Sequence, residues 1–175
     1  MTLANATPGH DTIRFNIPGA GEQEIAVASP LPVVATPMAL LGRTQPGYDG
    51  RPMVRVDGQG TGGYGFELQH KSKISGLSVT RFTAQPGVIV SAAGGGSIIE
   101  FSHIGTDRAG ASDLGNNAGV LLNGTTAVRV RDSLLSGNVF SGVIVSGGSA
   151  NEIRGNHIGT GLSGFSALPN NDNGV

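Results

Sequence analysis

The stretch SIIEFSHIGTDRAGASDLGNNAGV, residues 97–120, returns in altered form at residues 151–175 as NEIRGNHIGTGLSGFSALPNNDNGV. Both copies open on an apolar pair five residues apart and share HIGT. Both then run through a Gly-, Asn- and Ser-rich loop and close on Gly-Val. Working outward, the closing dipeptide recurs at Gly87, Gly119, Gly142 and Gly174, at steps of 32, 23 and 32 residues. The apolar pairs recur as Ile74 and Val79, Ile99 and Ile104, Val130 and Leu135, and Ile153 and Ile158, stepping by 25, 31 and 23. The two series interleave without a slip. Self-similarity at a period of about 20–50 residues marks a stacked-repeat architecture.

Each unit holds short alternating runs of Val, Ile and Leu, such as GVIVS and GVLLN, punctuated by Gly, Asn and Ser. No unit carries a 3.6-residue period long enough for a helical repeat, and propeller blades need four longer strands. A 23-residue unit of three short strands fits one coil of a parallel β-helix. The longer units are the same coil with an inserted loop of about nine residues. In NEIRGNHIGT, Ile153 and Ile158 point inward while Gly155 and Asn156 make the bend, where a left-handed backbone favours Gly and Asn.

Composition agrees with a folded, turn-rich chain. Of 175 residues 30 are Gly, yet 38% are hydrophobic, too many for a flexible linker. The net charge of −1 gives no overall footprint for nucleic acid. The chain has no Cys, so disulfides and Cys-ligated metals are excluded. No apolar run reaches the length of a membrane span, and MTLANATPGHDT lacks the basic start and apolar stretch of a signal peptide. Residue 175 stops in mid-pattern, which suggests a piece of a longer chain.

The loop pattern IGT…G…L…N…GV and the opening DTIRFNIPG…LLGRTQPG resemble large modular secreted bacterial proteins built of right-handed parallel β-helix repeats, within the broad pectin-lyase-like superfamily. The resemblance covers residues 11–175. It implies an extracellular or cell-surface location and a fold shared by lyases, hydrolases, epimerases, adhesins and inert stalks. The expected fold is all-β: a right-handed parallel β-helix (solenoid) of about five or six coils with an N-terminal cap. A single domain is expected over 1–175, with the cap and first irregular coils in 1–60. Regular coils follow in 61–175, with inserted loops at 105–118 and 159–173.

Stacking at about 4.8 Å turns the alignment into predicted ladders. One reads Ser75, Glu100, Arg131, Arg154, and makes Glu100 and Arg131 an exposed ion pair. A second reads Ser78, His103, Leu134, His157, with the two His two rungs apart, too far to share a zinc ion. In the Gly-Val strands Val88, Val90, Val120, Leu122, Val143 and Val145 face inward, and Ile89, Leu121 and Ile144 form an outward apolar stripe. Where the superfamily's enzymes place charged residues, this face has none. Either the inserted loops, through Leu114 and Leu168, cover the stripe, or it is an exposed ligand-binding patch.

Catalysis on a polysaccharide needs convergent carboxylates with a nearby base. The catalytic candidates are Glu100, Arg131, Asp132 and Arg154, with Asp132 a polar residue between Phe101 and Gly155 at a position that is otherwise small or apolar. Asp107 and Asp113, in one inserted loop, are the metal candidates for a structural Ca²⁺, although Gly161 and Ala167 replace them in the sister loop. The expected function is a non-catalytic extracellular module, a rigid stalk or a carbohydrate- or surface-binding platform, with a neutral polysaccharide favoured by the low charge. The alternative is a fragment of a polysaccharide lyase or glycoside hydrolase. No cofactor and no nucleic-acid partner is expected, and the strand edges at the C-terminal end predict end-to-end self-association.

Overall fold

The computed structural model describes residues 1–175. After a one-turn helix α1 (Thr2–Asn5) come sixteen short strands. They are β1 (Asp11–Arg14), β2 (Gln23–Ala26), β3 (Met38–Leu41), β4 (Val54–Asp57), β5 (Phe66–Leu68), β6 (Lys73–Ser75), β7 (Leu77–Thr80) and β8 (Val88–Val90). There follow β9 (Ile98–Glu100), β10 (His103–Ile104), β11 (Val120–Asn123), β12 (Arg129–Arg131), β13 (Leu134–Leu135), β14 (Val143–Ser146), β15 (Glu152–Arg154) and β16 (His157–Ile158).

The strands form three parallel sheets. The first runs β1-β3-β6-β9-β12-β15, the second β2-β4-β7-β10-β13-β16 and the third β5-β8-β11-β14. From β3 onward the chain visits first, second and third sheet in fixed rotation. The parallel, strand-dominated structure expected from the repeat is therefore present. Even the irregular first 60 residues join the scheme: β1 to β4 extend the first two sheets, and Val34 bridges Leu68 at the edge of the third.

The recurring apolar pairs are the core. Leu40, Ile74, Ile99 and Val130 stack in the first sheet, and Val56, Val79, Ile104 and Leu135 in the second. All belong to one cluster of 22 buried residues, each apolar side chain contributing about 1.5–3 kcal/mol on burial. Two of the corners between sheets show how the sequence sets them. Entering the third sheet, a Cβ on Gly119 would sit 2.3 Å from the Gly142 carbonyl oxygen, and one on Gly65 2.2 Å from that of Gly87. At these two positions Gly is thus required by close approach of the next strand's entry. Between the first and second sheets the chain turns through one left-handed residue: Gly76, Phe101, Asp132 and Gly155 have φ of 72°, 51°, 49° and 65°.

The corner between the second and third sheets also holds a buried asparagine ladder. Asn116 Nδ2 donates to the Asn138 Oδ1 (3.1 Å) and Asn138 Nδ2 to the Asn170 Oδ1 (3.0 Å). Each also donates to a carbonyl of the second sheet, Val79, Ile104 and Leu135 in turn. Buried amides satisfied in this way lock the corner.

At the N-terminal end Met1 and Ala4 of the α1 turn pack against the core, and Asn5 ties that turn to Val33 and Ala35. At the other end β14, β15 and β16 are outermost, and Val145, expected inward, is 46% exposed because no further rung covers it. No helix is long and apolar enough to cross a membrane.

Candidate functional site

The predicted ladder Ser75, Glu100, Arg131, Arg154 is formed rung by rung. Its chemistry differs from expectation: the Glu100 side chain is buried, at 2% exposure, and is not one half of an exposed pair. Its two oxygens meet Lys73 Nζ at 2.7 Å and Arg131 Nη2 at 2.6 Å, and Ser75 Oγ donates at 3.2 Å. The cause is the 42–52 segment, which the repeat does not predict. A Cβ on Gly76, next to Ser75, would meet Arg43 Cγ and Tyr48 Cε2, so these two side chains lie across the bend. The Arg43 guanidinium stacks on Phe101, 4.5 Å from the ring centroid.

Burial pushes the Glu100 carboxyl up, but the hydrogen bonds and charges of Lys73 and then Arg131 outweigh it and hold the carboxyl below its ordinary range. A buried carboxylate kept ionised by two cations and a hydroxyl has no proton to give and is closed to a substrate.

Asp132 is exposed beside this cluster, in the left-handed conformation its neighbours leave to Gly76 and Gly155. It lines an open cleft of about 220 Å³ with Phe101, His103, Ser133, Leu134 and His157, walled by Gly50 and Leu162 from two loops. Arg154 lies outside this lining and is 80% exposed, 3.6 Å from Glu152. Of the four catalytic candidates, Glu100 and Arg131 meet directly; Asp132 opens into the cleft instead.

The inserted loops fold over the outer face of the second sheet, where His103 Nδ1 lies 3.0 Å from the Asp107 carbonyl oxygen. A Cβ on Gly110 would meet Leu134 and Leu162, and one on Gly164 would meet His157. Leu114 and Leu168 instead close their own loops by N–H bonds to Gly105 and Gly159. Ile89, Leu121 and Ile144 do pair in register across the third sheet, Ile89 buried and the other two half-buried. His103 is buried, which pushes its imidazole pKa down, while His157 is exposed.

Asp107 and Asp113 stand on opposite arms of their loop. Asp107 spends both carboxylate oxygens on it, accepting from the Ala111 and Ser112 N–H groups and from Ser112 Oγ. Burial pushes its carboxyl up; these bonds outweigh that and bring it below the usual range. Asp113 Oδ1 accepts from the Gly115 N–H. No three His, Asp or Glu side chains gather in a metal-ligating group.

One cluster was invisible in the repeat. Asp57, fully buried, is held by Arg55 Nη1 at 2.7 Å and Arg81 Nη2 at 2.5 Å, and Arg55 also reaches Glu22 and Glu24. The signal available was VRVD, an alternating strand that puts Arg55 and Asp57 on one outward face. Searches of protein-family models, of curated proteins and of solved structures return no match to this chain.

Proposed function

We propose that the chain is a right-handed parallel β-helix of six coils, a non-catalytic module that serves an extracellular bacterial protein as a rigid stalk and carbohydrate- or surface-binding platform. The burial of Glu100 and its pairing with Lys73, Arg131 and Ser75 carry this reading: the one clustered acid on the predicted catalytic ladder is a structural tie. Asp57 is tied in the same way, and Asp132, though open to solvent, has no second carboxylate within its cleft lining. The helical reading rests on the fixed rotation of the chain through three parallel sheets. The extracellular setting rests on the resemblance to modular pectin-lyase-like proteins. The outer edges of β15 and β16, and of β14 beyond Val143, whose N–H already donates to the Gly174 carbonyl, support end-to-end self-association, which a concentration-independent monomer mass in sedimentation would contradict.

The test is incubation with acidic and neutral polysaccharides, with and without Ca²⁺. Retention of polymer without cleavage is expected. New reducing or unsaturated ends, lost in Asp132→Asn, would overturn the reading and make the 220 Å³ cleft an active site.

A further inference from the structure

The net charge of −1 conceals a segregated surface. By alternation, the outward positions of the first sheet form two columns. One reads Thr12, Ala39, Lys73, Ile98, Arg129, Glu152, and the other Arg14, Leu41, Ser75, Glu100, Arg131, Arg154. Cations therefore stand on this face at β1, β6, β12 and β15, over five strand steps or about 24 Å at the ordinary spacing, with Ser75 and Glu100 of the second column buried between them.

Both carboxylates in these columns are shared by two cations. Glu100 lies between Lys73 and Arg131, and Glu152 between Arg129 (3.5 Å) and Arg154 (3.6 Å). Each group of three carries a net positive charge, and its cations stay partly open, from 38% exposed at Lys73 to 80% at Arg154. Beside the stripe lies a hollow of about 280 Å³ lined by His10, Lys71, Ser72, Lys73 and Gly96, with Lys73 also reaching Glu100. Asp11 is the acid next to it and already accepts a bond from Thr7. The remaining buried acid of the molecule, Asp57, is neutralised by Arg55 and Arg81 against the second sheet.

We propose that this face binds a linear sulfated polysaccharide lying along the stacking axis, with one anionic group seated in the hollow at Lys71 and Lys73. This inference rests on the platform reading above and names its ligand class, replacing the neutral polymer that net charge alone favours. The columns carry no aromatic residue on which bases could stack, which disfavours a nucleic acid. Guanidinium is weakly hydrated and forks onto oxyanions, and a sulfate ester keeps its charge at every relevant pH, so the Arg-rich end suits sulfate.

The test is equilibrium binding of dextran sulfate, polygalacturonate and unmodified dextran to the intact chain. Dextran sulfate is expected to bind tightest and to weaken about tenfold between roughly 50 and 200 mM salt. Replacing both Arg129 and Arg154 by Gln should weaken it about tenfold. Glu152→Gln, which frees both of those cations, should tighten it about threefold. Arg51→Gln removes one exposed positive charge by the inserted loops and should leave binding within about twofold. Equal binding of dextran, tighter binding of polygalacturonate, a loss with Arg51→Gln equal to that of the double variant, or weaker binding with Glu152→Gln would each overturn the inference. Salt-insensitive dextran binding would do so while sparing the platform reading. Cleavage of any polymer would overturn the platform reading instead.

Discussion

Arg131 reaches Glu100 at 2.6 Å across 31 residues of sequence, on adjacent rungs of one parallel sheet. The acid is buried and its partner is 41% exposed, so the tie is strong on one side and solvent-screened on the other.

That asymmetry sets the cost of cutting it. Glu100→Ala should destabilise the chain by about 2–3 kcal/mol, since Lys73 and Arg131 lose a shared buried anion. Arg131→Ala, discounted for its exposure, should cost about 1 kcal/mol. Urea midpoints of the two variants give the comparison, and an equal or reversed order would contradict it.

The same carboxyl makes stability pH-dependent. Its folded pKa is depressed, so its contribution is fully present above the ordinary carboxylate range and is lost as pH falls through that range toward the folded value. Asp107 acts in the same direction. Melting temperature should therefore drop on acidification below about pH 4, and by less in Glu100→Gln, as followed by circular dichroism.

Asn138 sits at the middle of the asparagine ladder, accepting from the Asn116 N–H and Nδ2 and donating to Ile104 and Asn170. Asn138→Ala strands several buried polar groups at once and should cost about 2–4 kcal/mol. Asn170→Ala, at the outer rung, should cost less. Denaturant unfolding of both variants checks the order.

Asp132 holds φ at 49° in a ladder whose other rungs are Gly76, Phe101 and Gly155. Asp132→Gly should stay within about 0.5 kcal/mol of the parent, whereas the β-branched Asp132→Val should cost about 1–2 kcal/mol. Thermal unfolding separates these outcomes.

Close approach makes the opposite prediction for Gly119, whose φ is unexceptional but whose Cβ would meet a backbone oxygen at 2.3 Å. Gly119→Ala should cost about 3 kcal/mol or more, because the obstacle is a strand of the next rung and not a movable side chain.

Periodicity carried the rungs well because parallel stacking preserves register. Ile99 on Val130 and His103 on Leu134 follow once the two interleaved series are aligned. Burial of Glu100 did not follow, because Arg43 and Tyr48 come from a segment outside the repeat. The asparagine ladder was hidden because Asn116 precedes its Gly by three residues and Asn138 and Asn170 theirs by four, so each reads as an ordinary turn residue. The inserted loops reveal their existence by length, but a length says nothing about which face they cover. The cation stripe is invisible in net charge, and emerges only when residues 14, 73, 129 and 154 are stacked.

The most direct measurement is a spin-label distance between Thr12→Cys and Glu152→Cys, the ends of one column of the first sheet. Five strand steps predict a narrow distribution near about 24 Å, widened only by the label arms. A broad distribution, or one centred well beyond about 35 Å, would contradict the continuous stack on which the ladders, the platform and the stripe all depend.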